Sequence, residues 1–220
     1  HDSLLKALLD ERFDGEASRQ GLTAFLDASP EGEHWVLVAP LADGLLPFRR
    51  QRVTTSELLT TDPFTTPRRS RVWPARRILL VENERSLHRL QHLSLPLPDT
   101  IAILGSGLNL VWLAALWLKS CDVAYWGDLD TWGLAMLATA RRHLPQLYPL
   151  LMDRTTFDAH MHLAVSEPVP CDDSALDGLT APEAALAQHL RGLVQGRLEQ
   201  EFLPDWVVVD AVQARSLIHI

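Results

Sequence analysis

The sequence predicts an α/β protein: four parallel strands flanked by helices, with a helical and extended appendage before the sheet and further helices after it. Three observations carry this. Arg77-Ile-Leu-Leu-Val81 and Thr100-Ile-Ala-Ile-Leu104 are apolar runs of the kind a strand covered on both faces requires. Each is followed by a turn and then by helical patterning, and alternation of this length implies parallel pairing through right-handed crossovers. The third run, Asp122-Val-Ala-Tyr-Trp126, leads into Gly127-Asp-Leu-Asp130. Two acids thus fall in a strand-to-helix turn at the carboxyl edge, where open α/β sheets place their sites.

The elements follow in order. Residues 1 to 28 read as helical, with Leu4, Leu5, Leu8 and Leu9 at helical spacing. His34-Trp-Val-Leu-Val-Ala39 reads as a strand ended by Pro40. Residues 40–76, rich in proline, threonine and arginine, read as short extended pieces and loops with a helical turn at Ser56-Glu-Leu-Leu59. After the strand at 77–81 a helix is expected over Arg85–Leu93, stopped by Pro96 and Pro98. After the strand at 100–104 come Gly105-Ser-Gly107 and a helix over Leu110–Lys119 capped by Asn109. A helix follows from Thr131 to near Pro145, and Tyr148-Pro-Leu-Leu-Met152 reads as the fourth strand. Thr155–Leu163 is expected to be helical and Glu167–Gly178 an acidic loop. A helix opening at Thr180-Ala-Pro-Glu183 is expected to run to Phe202, with Trp206-Val-Val-Val209 as a closing strand. The chain is therefore divided into an appended or linker region, residues 1–76, and a regular α/β domain with a C-terminal helical extension, residues 77–220, the part expected to carry the chemistry.

Composition narrows the classes. A hydrophobic share of 47% supports a large core. No apolar run reaches the roughly 18 uncharged residues of a membrane span, so no membrane role is expected. Cys121 and Cys171 lack zinc or redox spacing and read as reduced cysteines of a cytoplasmic protein. A net charge of −8 weighs against nucleic-acid binding by the surface as a whole. The cations, however, are arginines except for Lys6 and Lys119, and they cluster at 49–52, 68–77 and 141–154. Arginine suits bidentate phosphate contacts.

The chemistry concentrates in three acids. Side chains alternate along a strand, so Asp128 and Asp130 share a face. Adjacent carboxylates repel, and a divalent cation with oxygen ligands, most simply Mg²⁺, is the usual compensation. Glu82 ends the first regular strand, and parallel pairing brings it to the same edge if the first and third strands are neighbours. Other acids rank lower. Asp153 either supports this site or caps a helix, and Glu199 and Glu201, two apart on the expected helix, face apart. Gly105 and Gly107 allow backbone N–H groups to meet a phosphate, and Arg154 is a phosphate-binding candidate.

A glutamate after the first strand, a glycine-bearing turn after the second and Asp-x-Asp after the third resemble the pattern of Toprim domains, which occur in topoisomerases, primases and nucleases. Five blocks narrow the likeness: Val81-Glu-Asn83, Leu104-Gly-Ser-Gly107, Tyr125-Trp-Gly-Asp-Leu-Asp130, Leu150-Leu-Met-Asp-Arg-Thr155 and Arg197-Leu-Glu-Gln-Glu201. Together, over residues 77 to 203, they resemble the C-terminal region of the JetD family, the nuclease subunits of the Wadjet SMC-like plasmid-defence system and relatives of topoisomerase VI. The resemblance implies a Toprim, Rossmann-like sheet and a metal-dependent DNA endonuclease. Glu82, Asp128 and Asp130 would be catalytic residues and Mg²⁺ ligands, with Mn²⁺ able to substitute; apart from the resemblance, Asp153, Glu199 and Glu201 are candidates to support them from behind, with helix capping for Asp153 and surface solvation for the two glutamates as the alternatives. Partners would be plasmid DNA, SMC-like subunits and a second copy of the chain in a dimer, with a winged-helix region preceding this one. Only Tyr125 and Tyr148 occur, both as strand residues, so water rather than tyrosine is the expected nucleophile.

Two other readings compete. A haloacid-dehalogenase-type phosphotransferase uses a similar Asp-x-Asp, but wants threonine at position 132, where this chain has Trp, and a lysine downstream, where none follows Lys119. A non-catalytic docking module of the same fold is the other alternative, and the intact acid trio argues against it.

Overall fold

The apolar runs do form the strands. In the computed structural model β3 is Arg77–Val81, β4 Thr100–Leu104 and β5 Asp122–Trp126. Residues 78–81, 100–103 and 123–126 are buried without interruption, as strands covered on both faces must be. Residues 35–42, 45, 49–60, 75–93, 97, 99–104, 110–172 and 176–217 are described. The chain divides into two compact units, His1–His34 and Trp35–Ile220, and every described residue belongs to the second. The helical reading of residues 1–28 and the turn at Gly105, Gly107 and Asn109 lie outside the described residues.

The sheet corrects the expectation of four parallel strands. It has six strands, with β1 (Trp35–Pro40), β2 (Gln51–Thr54) and the two-residue β6 (Tyr148–Pro149) completing the order β2-β1-β4-β3-β5-β6. β4, β3, β5 and β6 pair in parallel, and β1 and β2 add antiparallel ladders. The physical reason is the edge. β4 would otherwise present a row of unpaired backbone groups, and β1 covers it in the register Leu37–Leu104 to Pro40–Ile101. The sheet thus takes in residues on both sides of position 76. The expected fourth strand, 148–152, shrinks to two residues because Pro149 has no N–H to donate.

The helices carry their own start signals. α1 (Thr55–Thr60) follows β2 directly. α2 (Glu84–His92) is capped by Asn83, whose side chain accepts the Arg85 N–H at 2.8 Å. α3 (Thr131–His143) is capped by Asp130, and α4 (Arg154–His160) by Asp153, which accepts the Thr156 N–H at 2.8 Å. α5 (Ala181–Arg191) opens with a capping box between Thr180 and Glu183.

Two helical readings and one strand reading change. Leu110–Lys119 is two 3₁₀ turns, Val111–Ala114 and Leu116–Ser120, broken by the extended Ala115. Trp112, Ala115 and Leu118 are all buried, the three-residue spacing of that tighter helix. α5 stops at Gly192 rather than reaching Phe202. The chain then folds back so closely that a Cβ on Gly196 would lie 2.2 Å from the Leu190 carbonyl oxygen, and it runs extended through Arg197 and Leu198. Finally, 206–209 is not a strand but part of α6 (Asp205–Leu217). Its valines suit a strand, but Pro204 and Asp205 start a helix, and Val208 and Val212 are buried at its i, i+4 spacing. Arg215 of α6 pairs with Asp122 and lies over the Tyr148 ring at 4.0 Å, which fixes α6 to the sheet edge. Among the described residues no helix is long and apolar enough to cross a membrane.

One buried ion pair joins α3 to α5. Arg141 and Glu183, with side chains 13% and 10% exposed, form a two-pronged contact whose Nη2–Oε1 arm is 2.7 Å. Burial raises the Glu183 pKa, but hydrogen bonds from Arg141 and Thr180 outweigh it and leave the carboxyl below its usual range. Its stabilising contribution is therefore complete above the unfolded carboxyl's pKa of about 4.3 and is lost as pH falls below it. Glu183→Gln, which strands the buried guanidinium, is expected to cost about 3–5 kcal/mol in urea denaturation at pH 7. The gap between variant and wild type should narrow as the pH is lowered.

Candidate active site

β3 and β5 are neighbours in register, with Val81 opposite Trp126, so their carboxyl ends open side by side. The chain leaves β3 toward β4 on one side and returns to β5 on the other, which makes the crevice between β3 and β5 the switch point of the sheet. Glu82 leaves β3 at this edge, and its N–H donates to the Trp126 carbonyl at 3.2 Å. Its Oε2 accepts the Tyr125 hydroxyl at 3.0 Å and the Asp128 backbone N–H at 3.2 Å. Glu82 therefore lies on the same rim as the aspartate pair. Gly127 makes this possible, since a Cβ there would meet the Glu82 Oε2 at 2.6 Å and the Tyr125 hydroxyl at 2.7 Å.

Asp128 and Asp130 are buried, 5% and 4% exposed. Each has one oxygen satisfied by backbone. Asp128 Oδ1 accepts the Gln200 N–H at 2.9 Å, and Asp130 Oδ1 accepts the Gly133 N–H at 2.7 Å. The other oxygen of each faces Arg197, whose Nη2 is 3.5 Å from Asp128 Oδ2 and whose Nε is 3.4 Å from Asp130 Oδ2. Leu129, between the two acids, points into the core and forms a two-way β-bridge with Leu198, N–H to O at 2.9 and 3.1 Å. That bridge carries Arg197 and Gln200 to the acids.

Sequence reasoning missed Glu167. Its Oε1 accepts the Thr131 hydroxyl at 2.6 Å and the Thr131 N–H at 3.2 Å, at the first residue of α3. Its Oε2 is buried without a hydrogen-bond partner. A lone acid in a proline-bearing loop carries no periodic signal, so only the folded chain reveals it. Gln200 and Arg197 were visible as residues, but the expected helix placed them wrongly. In the extended segment Arg197 and Glu199 lie on one side and Leu198 on the other, and Arg197 Nη2 is 3.2 Å from Glu199 Oε1.

The remaining candidates separate from this centre. Asp153 caps α4, and Arg154 pairs with Asp158 at 2.7 Å. Glu201 accepts from the Asn83 amide at 2.6 Å and lies 3.6 Å from Arg85, which ties the 3₁₀ turn Gln200–Phe202 to the start of α2.

Crowded charge sets the electrostatics. Burial first, then Glu82, Asp128 and Glu167, push the Asp130 pKa up to about 8, against the opposing Gly133 hydrogen bond. Burial also raises Glu167, more than its hydrogen bonds from Thr131 and Trp132 lower it. Burial, with Glu82 beside it, holds the Tyr125 hydroxyl well above its usual range, so it keeps its proton. Burial would lower the Arg197 pKa, but Glu199, Asp128 and Asp130 outweigh that and raise it.

The donor set is all carboxylate oxygen, which fits a hard divalent cation. As the side chains stand, no three His, Cys, Asp or Glu among the described residues are placed together to hold an ion. The Arg197 guanidinium lies against both aspartates instead.

The family described as "Wadjet protein JetD, C-terminal" matches residues 25–212, most of the chain. No curated protein matches it.

Proposed function

The chain belongs to the family of C-terminal regions of the Wadjet protein JetD, and from that premise we propose that it is the catalytic part of a Mg²⁺-dependent DNA endonuclease with a Toprim-type site. The observation that carries the reading is the meeting of Glu82, from the end of β3, with the turn that holds Asp128 and Asp130 after β5. Glu82, Asp128 and Asp130 would hold the ion, Mg²⁺ or in its place Mn²⁺. Held there, the ion would supply charge neutralisation on a phosphodiester and activation of water.

The protein's own part is orientation. The Gln200 and Gly133 N–H groups aim the two aspartates, the Tyr125 hydroxyl holds Glu82, and the Leu129–Leu198 bridge locks the turn. Tyr125 spends its proton on Glu82 and Tyr148 lies under Arg215, so neither is a nucleophile and water takes that role. Full function belongs to a larger assembly, with an upstream winged-helix region, SMC-like partner subunits and a second copy to cut the other strand.

The test is supercoiled plasmid presented to the complete Wadjet assembly. Cleavage should require Mg²⁺ or Mn²⁺, stop with chelator and leave 5′-phosphate ends without protein attached. Cleavage that persists in chelator would defeat the metal reading, and a covalent protein–DNA adduct would defeat hydrolysis by water.

A further inference from the structure

We propose that Arg197 is a displaceable internal counter-ion, which occupies the cation position between Asp128 and Asp130 and must withdraw before a divalent metal binds. The inference rests on the metal-centre reading above and adds to it a built-in competitor.

The geometry is that of charge neutralisation without tight bonding. Well-formed guanidinium–carboxylate contacts run at about 2.7–2.9 Å, and Arg154 meets Asp158 at 2.7 and 2.8 Å. Arg197 stands off at 3.5 Å from Asp128 and 3.4 Å from Asp130. Its Nε is buried and makes no hydrogen bond. The two oxygens it faces are the Oδ2 atoms, those not satisfied by the Gln200 and Gly133 N–H groups. One guanidinium thus spans the pair of oxygens that an ion would join. Mg²⁺ needs its ligands at about 2.0–2.1 Å, so ion and guanidinium exclude each other there.

The way out is also present. The Arg197 side chain is 28% exposed and its Nη2 already touches Glu199 at 3.2 Å. Leu198 stays anchored by its bridge to Leu129, so the guanidinium can turn toward Glu199 and solvent without the backbone leaving the acids. Staggered rotamers about its side-chain torsions give the guanidinium discrete alternative positions.

The test is calorimetric titration of Mg²⁺ and Mn²⁺ into the full-length protein, wild type against Arg197→Gln and Arg197→Lys, with thermal unfolding of each in chelator and in Mn²⁺. Arg197→Gln should bind at least about tenfold tighter, because the wild type must first leave its closed state. Arg197→Lys, which keeps a cation, should fall near wild type. In chelator Arg197→Gln should melt below wild type, and saturating Mn²⁺ should close that gap. A second readout needs no variant: the ¹⁵N signal of the Arg197 Nε should shift, and its proton exchange accelerate, as Mg²⁺ is added to wild type. Equal or weaker binding by a folded Arg197→Gln overturns the inference, as does an unmoved Nε signal while metal binds. If no form binds Mn²⁺ at millimolar concentration, the metal centre itself fails, a result distinct from equal binding by all three.

Discussion

Asp128→Ala is expected to reduce Mg²⁺-dependent plasmid cleavage by about 10³-fold or more. The size follows from losing a ligand of an ion that contributes several kcal/mol to the developing charge, at about 1.4 kcal/mol per tenfold. The fold should survive. The variant leaves the Gln200 N–H without its acceptor, a cost of about 1–3 kcal/mol, but it also removes one of the acids that hold Asp130 at about 8. Asp128→Asn separates the two effects, since its side-chain oxygen can still accept the Gln200 N–H while the charge is gone. It should be as inactive as the alanine form and closer to wild type in stability. An asparagine variant in the complete assembly that still cleaves like wild type would favour a docking module over an enzyme.

Gly133→Ala should produce the largest loss of stability of any conservative change near the site. A Cβ there would lie 1.9 Å from the Asp128 carbonyl oxygen, 3.0 Å from its carbon and 3.4 Å from the Asp128 nitrogen, all of it backbone with no flexible group to yield. The first turn of α3 would have to move off the acid turn, and the Gly133 N–H would lose its 2.7 Å bond to Asp130. The better helix propensity of alanine returns about 1 kcal/mol, so a net loss of about 3 kcal/mol or more is expected. At the size of this chain that corresponds to a fall of about 6–12 °C in the midpoint of thermal unfolding. A midpoint within about 2 °C of wild type would show that the close approach is not needed.

The core of this arrangement was legible in the sequence because it rests on local signals. Uninterrupted apolar runs bounded by turns are what doubly covered strands require, and Asp130 stands three residues before the N–H it caps. From these, the convergence of Glu82 with Asp128 and Asp130 follows once β3 and β5 are neighbours. What could not be read depends on contacts far apart in the chain. The pairing of β1 with β4 has no local signature, so the sheet looked smaller than it is. Residues 193–203 have helical composition, yet Leu198 is pulled extended by its bridge to Leu129. That tertiary override hid the roles of Arg197 and Gln200. The valines at 207–209 suggested a strand, where capping and burial spacing made a helix. Glu167 is held by the Thr131 side chain, across 36 residues of sequence.

The clasp between Leu129 and Leu198 has a consequence for biosynthesis. A ribosome emits the aspartate turn long before it emits the segment that supplies Arg197 and Gln200. Domains consolidate during translation roughly in the order they emerge. The nascent polypeptide therefore carries the aspartate turn without the Arg197 counter-charge and without the Gln200 N–H until the later segment arrives.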